Sequence, residues 1–223
     1  MKQKSVFMKE EADAWYERNK FCINQKSLSN DPIFIALQNI GYQPKRILEI
    51  GCANGWRLAQ LTNYYGATCY GIDPSQTAIE DGAKSYPELN LSVGTADGLP
   101  DIKPVDLIIF GFCLYLCDPQ DLFTIAANSD RLLVDKGVMA VYDFCPPTGH
   151  YRNDYQHHAN LFSYKMNYSS MFSWHPSYCR IFEHIKHHDG TNELEPDALV
   201  SVQLLKKDSR LLDAKNPYLR RNY

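Results

Sequence analysis

The chain has 223 residues, with 23 Lys plus Arg against 26 Asp plus Glu and a formal net charge of −3. A hydrophobic share of 44% suits a folded chain able to bury a core and excludes a disordered one. The near balance of charge argues against a dedicated nucleic-acid binder. Seven cysteines (22, 52, 69, 113, 117, 145, 179) form no CxxC pair and no regular spacing, so reduced thiols and a cytoplasmic setting are expected. The first 15 residues lack an apolar signal region, and the longest uncharged apolar run, 107–117, is too short to span a bilayer.

Residues 8–20 read as a helix, acidic early and basic late. Asp31-Pro32 opens a second helix that ends at Gly41. A rhythm follows. Apolar runs at 46–51, 67–73, 89–94, 105–112 and 138–144 read as strands, separated by helical patterns at 56–65, 75–85 and from Asp118-Pro119 to about Leu133. Gly137 marks the turn into the fifth run. Alternating strands and helices imply βαβ units and a parallel sheet covered on both faces. Beyond Phe144 the rhythm stops, and 145–178 is irregular and rich in Pro, Gly, His, Tyr and Ser. Two further runs, 178–189 and 198–208, read as an antiparallel hairpin at the sheet edge, followed by a basic, aromatic tail.

The chemistry concentrates where the first strand meets its helix, in Ile47-Leu48-Glu49-Ile50-Gly51-Cys52-Ala53-Asn54-Gly55. Gly51 allows a ligand to approach the backbone, and the helix behind it offers N–H groups. Asp73 ends the second strand, where an acid can accept both ribose hydroxyls of an adenosine-type cofactor. Asp97-Gly98 follows the third strand, where an adenine amino group can be read. All lie at the carboxyl ends of parallel strands, where doubly wound sheets bind ligands. The loop does not have the G-x-G-x-x-G spacing of a dinucleotide cradle, and the chain has no P-loop.

These residues resemble the class I S-adenosylmethionine-dependent methyltransferases. Glu49, Gly51, Ala53 and Gly55 match the first motif, with Ala53 replacing its middle glycine. Asp73 matches the ribose acid, Asp97 the adenine-side acid, 105–109 the fourth strand and 132–143 the fifth. The resemblance implies an α/β fold: a doubly wound, mostly parallel seven-stranded Rossmann-like sheet with a C-terminal antiparallel edge hairpin. It also implies S-adenosyl-L-methionine as cofactor, with S-adenosyl-L-homocysteine as product. Glu49 is expected near the methionine amino group, and Phe110-Gly111-Phe112 is expected to face the cofactor and the reacting centre. Cys52, Asn54, Pro74 and Ser75 complete the expected cofactor loops, and Arg18 is a candidate for the methionine carboxylate. The expected organisation is one methyltransferase domain over 1–223: a helical lid at 1–40, a cofactor core at 41–145, an acceptor-side insert at 146–178, the hairpin at 179–208 and the tail at 209–223.

On the acceptor side, His157, His158 and His175 are the candidate general bases. Aromatic residues of the insert suit a ring-bearing small molecule. The N-terminal helix together with residues 163–168 looks like methyltransferases of bacterial surface-sugar pathways, so O-methylation of a sugar or related metabolite is expected. No His pair falls on a stretch read as helical, and no metal is expected. The turn Phe110-Gly111-Phe112-Cys113 differs from the Asn/Asp-Pro-Pro-Tyr turn of amino-methylating enzymes that act on nucleic acid or protein. The basic cluster of Lys206, Lys207, Arg210, Lys215, Arg220 and Arg221 reads as a solvated face. Two other readings remain: a non-catalytic cofactor-binding subunit with the same fold, and a nucleotide-dependent oxidoreductase.

Overall fold

Local signals start three of the helices around the sheet. In the computed structural model, which describes residues 2–191 and 195–212, Asp31 caps α3 (Pro32–Asn39) by accepting from the Phe34 N–H at 2.9 Å. Ser75 caps α5 (Gln76–Ser85) by accepting from the Ala78 N–H at 3.0 Å. Ahead of α4 (Trp56–Tyr65), Asn54 Oδ1 accepts from the Trp56 N–H. The apolar runs become β1 (Arg46–Ile50), β2 (Thr68–Asp73), β3 (Asn90–Val93), β4 (Val105–Gly111) and β5 (Leu133–Phe144). Helix α6 (Leu122–Leu132) leads into β5. The last two strands, β8 (Tyr178–His187) and β9 (Leu199–Lys207), complete a seven-stranded sheet of order β3-β2-β1-β4-β5-β9-β8. Strands β1 to β5 are parallel, and β9 is antiparallel to both β5 and β8.

Each central strand contributes to two cores because successive side chains point to opposite faces. Ile47, Leu107, Ile109 and Leu204 pack with Leu37, Leu58 and Leu61 of the helices on one face. Leu48, Ile50, Ile108, Phe110, Met139 and Val141 pack with Ile125 on the other. The chain winds outward from β1 through β2 to β3, then returns to β4 on the other side of β1. The crevice of such a sheet opens at this reversal, outside the carboxyl ends of β1 and β4.

Three segments differ from the sequence expectation. The N-terminal helix begins earlier: α1 (Gln3–Val6) passes through one wide π turn at Phe7–Glu11 into α2 (Ala12–Ile23). β5 starts at Leu133, because the expected turn at Gly137 is a kink inside the strand, with Lys136 in left-handed conformation. The insert is not wholly irregular. It folds as β6 (Tyr151–Asp154) against β7 (Phe162–Lys165) in a separate two-stranded sheet, followed by the short α7 (Ser170–Ser173). Four-residue strands are too short to show a period. The expected tail, including Lys215, Arg220 and Arg221, lies mostly outside the described residues. All seven cysteines are unpaired, and among the described residues no helix is long and apolar enough to cross a membrane.

The two faces of the sheet are not equally apolar. Glu49 shares a face with Ile47 and is only 1% exposed. Arg57 of α4 reaches down to it, and the Arg57 Nε also donates to Asp31 Oδ2 at 2.9 Å. One guanidinium therefore joins β1, α4 and the cap of α3. Gly111 on β4 leaves room for this group: a Cβ there would stand 2.6 Å from Arg57 Nη1 and 2.7 Å from Glu49 Oε1.

Two outcomes are expected. Gly111→Ala overpacks the buried ion pair and lowers stability by about 1–3 kcal/mol, measurable by urea unfolding. Arg57→Met leaves two carboxylates buried without their cation and destabilises by about 3–5 kcal/mol at pH 8. That loss shrinks towards pH 6, because burial already pushes Glu49 up to about 7 despite the pull of Arg57, and without the guanidinium it protonates more readily. A pH-independent loss would show that the carboxylates do not depend on Arg57 for their charge.

Candidate functional site

The loop after β1 is built from left-handed backbone at Gly51, Ala53 and Gly55 (φ of 74°, 50° and 78°). Ala53 is the surprise, because left-handed backbone is costly for a residue with a Cβ. Asp73 holds it in place by accepting from the Ala53 N–H at 2.8 Å. The N–H groups of Gly51 and Cys52 both donate to the Ile72 carbonyl, so the loop satisfies its own donors. A Cβ on Gly51 would meet Cys113 Cβ at 2.6 Å, so glycine is required for the approach of the turn after β4.

A cleft opens at the carboxyl ends of the strands. Its base is formed by Ile50-Gly51, Asp73-Pro74, the turn from Gly94 to Asp97, and Gly111-Phe112-Cys113. Its roof is the N-terminal helical segment, through Lys4, Phe7, Ala12 and Trp15. Polar contacts tie that roof down. Lys2 pairs with Asp121 at 3.0 Å, the N–H groups of Gln3 and Lys4 donate to buried Asp118, and Lys4 pairs with Asp97. Further along, Asp13 accepts from the Ser75 hydroxyl at 2.6 Å and the Thr77 N–H at 3.0 Å, across the start of α5.

The two acids lining the cleft differ electrostatically. Burial pushes Asp73 up to about 6, although the N–H groups of Ser75 and Ala53 pull it back. Asp97 is held below the usual carboxylate range, because donation from Lys4 and Thr95 outweighs its partial burial. Behind the cleft, Asp143 at the end of β5 is pushed by burial up to about 7 and accepts from the N–H groups of Leu114, Tyr115 and Phe144. It fixes the turn that carries Phe112 and Cys113 past the cleft.

Of the residues read from the sequence, Gly51, Ala53, Asp73, Pro74, Asp97, Gly98, Gly111 and Phe112 gather at the strand ends, and most of them line the cleft. Cys52, Asn54, Ser75 and Phe110 are buried beneath it. Glu49 lies under the Gly111 backbone, and the partner that an acid in an apolar run requires is Arg57. Arg18 is engaged away from the cleft by Glu11 and the Tyr155 hydroxyl. The structure brings none of the three candidate histidines to the cleft. His157 packs on Tyr155, His158 sits 3.5 Å from Glu10, and His175 bonds Ser177 at 2.7 Å, on the segment that leads into β8. Strand direction explains the last. β8 runs parallel to β5, so its start lies at the opposite end of the sheet from the cleft. Sequence reasoning missed Lys4, Phe7 and Thr95, which line the cleft or support its acids. The amphipathic start of the N-terminal helix was the available signal for the first two.

An adenosyl sulfonium cofactor fits these residues. Asp73 offers a carboxylate to a ribose diol, and Trp15 and Phe7 supply apolar cover. The Oε2 of Glu49 is buried with no hydrogen-bond partner. Arg57 bridges Asp31 and Glu49, and Lys26 adds a second cation near Glu49.

Comparison with known proteins agrees with this geometry. Residues 47–137 match the family model described as a methyltransferase domain. An uncharacterised methyltransferase of Synechocystis sp. is 27% identical over 116 residues, covering 51% of this chain and 54% of that protein. The chain thus spans about half the length of the curated relative it matches. Among solved structures, the 1,6-didemethyltoxoflavin N1-methyltransferase of Burkholderia thailandensis, with bound 1,6-didemethyltoxoflavin and S-adenosylhomocysteine, superposes with a TM-score of 0.70. It is 12% identical, over 92% of this chain and 88% of that one. The N-methyltransferase NodS of Bradyrhizobium japonicum gives a TM-score of 0.58 at 15% identity, over 88% and 98% of the two chains. Residues 47–137 thus match a methyltransferase domain, and the sheet order is the fold shared with these solved methyltransferases.

Proposed function

We propose that the protein transfers a methyl group from S-adenosylmethionine to a small molecule by direct displacement, with a hydroxyl oxygen of a sugar or related metabolite as acceptor. The observation that carries this reading is the cleft over β1 and β4, with Asp73 and Asp97 on its base and a tethered helical roof. The donor is an activated sulfonium, so the protein's task is chiefly to position the acceptor and exclude water. Asp73 holds the ribose, Asp97 and the turn from Gly94 hold the adenine end, and Gly51 admits the ligand to the backbone. The roof from Lys4 to Trp15 closes over the cleft. The toxoflavin N1-methyltransferase is similar in fold and binds a small molecule, which supports the small-molecule class. A cytoplasmic setting, a single domain over 1–223 and the absence of a nucleic-acid partner belong to the same proposal.

Titration calorimetry with S-adenosylmethionine, S-adenosylhomocysteine and NAD tests it. Micromolar binding of the first two and none of the third is expected. Binding without turnover on any small acceptor would favour a non-catalytic subunit, and binding of NAD alone would favour an oxidoreductase. Asp73→Asn weakens cofactor binding by about 1–3 kcal/mol. Near pH 6 the wild type also releases protons on binding, because ribose hydroxyls that donate to Asp73 favour its ionised form. This appears as a heat that depends on the buffer's ionisation enthalpy. It is absent in Asp73→Asn, and its absence in the wild type would remove Asp73 from the ribose site.

A further inference from the structure

Beside the cleft stands a group of rings that cofactor binding does not use. Phe112 lines the cleft and touches four others: Tyr115, Tyr142, Phe144 and His188, with ring centroids at 5.1, 5.3, 5.1 and 5.2 Å. These rings come from the ends of β4 and β5, the turn after β4, and the turn after β8. Two features separate the cluster from ordinary packing. Phe112 has a φ of 72°, a left-handed conformation that is an outlier for a bulky side chain. Such strain persists only where the surroundings impose it, and it concentrates at functional sites. Here the Tyr142 carbonyl imposes it by accepting from the Phe112 N–H at 2.8 Å. The second feature is His188, whose exposed imidazole lies nearly parallel to the Phe112 ring, at an interplanar angle of 11°. Its backbone is pinned by donation from its N–H to the Ala198 carbonyl at 2.8 Å. His188 is thus an exposed, titratable residue stacked on a ring that lines the cleft.

We infer that the methyl acceptor lies against the Phe112–Phe144–His188 cluster and presents a ring-borne hydroxyl, with the His188 imidazole receiving its proton. The inference rests on the methyltransferase reading and names the acceptor side of that site. Aromatic faces suit either the C–H face of a sugar or a phenolic ring, and the shared chemistry is a hydroxyl fixed to a ring. In the step, the acceptor oxygen bonds to the methyl carbon as the carbon–sulfur bond breaks with its electron pair to sulfur. The hydroxyl proton passes to the imidazole and from there to solvent.

The electrostatics agree. Burial against the rings holds His188 below the usual imidazole value, so the neutral, proton-accepting form dominates at neutral pH. Asp189 pulls it up, while Lys165, His187 and Lys186 push it down. From the insert, Lys165 stands 4.4 Å over the Phe144 ring and pairs with Asp197 at 3.3 Å, which moderates its charge.

The test uses the full chain, as wild type, His188→Phe and His188→Gly. S-adenosylhomocysteine affinity is measured by calorimetry, and turnover is measured as S-adenosylhomocysteine formed from S-adenosylmethionine. One acceptor panel holds hexoses and nucleoside-diphosphate sugars; the other holds catechols and hydroxycoumarins. Wild type is expected to turn over members of one panel, which identifies the ring type. His188→Phe keeps the stack and the cofactor affinity but loses at least about 100-fold in rate, together with the acidic limb of the pH–rate profile. Added imidazole restores His188→Gly. An unchanged rate and pH profile in His188→Phe overturns the inference. So does loss without imidazole rescue, which marks a structural role, and so does cofactor binding with no turnover on either panel. Failure of the wild type to bind S-adenosylhomocysteine overturns the methyltransferase reading itself, and the inference with it.

Discussion

One buried guanidinium organises the cofactor side of this fold. Arg57 lies between Glu49 on β1 and Asp31 at the cap of α3, and all three side chains are almost wholly removed from water. A charge so placed is tolerated only when paired and hydrogen-bonded. Arg57 therefore dictates where α3 and α4 sit on the sheet. It also explains why β4 ends in glycine, since any side chain at 111 would displace the pair. The cleft-lining backbone of Gly111 rests directly on this ionic layer.

The opposite wall of the cleft is built by different physics. The N-terminal helical segment adheres through both apolar and polar contacts: Val6, Phe7 and Leu161 pack together, while Lys2, Gln3 and Lys4 reach Asp121, Asp118 and Asp97. Partly exposed ion pairs contribute little stability each and are screened by salt. The roof's firmer hold comes from the buried contacts of Gln3, Phe7 and Tyr16. The wide turn at Phe7–Glu11 falls in this roof, and such turns recur at functional sites.

Legibility in the sequence followed the range of the interactions. The strand runs, the Asp31-Pro32 and Ser75 starts, the loop from Gly51 to Gly55 and the acids at 73 and 97 were all readable, because each is a local pattern of a few residues. Glu49 was read as an acid in need of a partner, but the partner could not be named, because Arg57 becomes its neighbour only when α4 folds back over β1. The histidines misled for the same reason. His157, His158 and His175 are prominent in a polar, aromatic insert, yet strand direction sends His175 to the far end of the sheet, while His157 packs on Tyr155 and His158 meets Glu10. Only the fold brings His188, just past the end of β8, against Phe112 and Phe144.

Periodicity and turn chemistry, written in consecutive residues, determined the alternating elements, the parallel core and the cofactor loop, because backbone conformation and single-element burial depend on neighbours in the chain. Tertiary structure alone decided which acid meets Arg57, which helix roofs the cleft, and which histidine stacks on the cleft-lining Phe112. Those choices depend on the order and direction of strands that are distant in sequence. Side-chain proximity across a sheet is set by that topology, and a linear pattern carries no record of it.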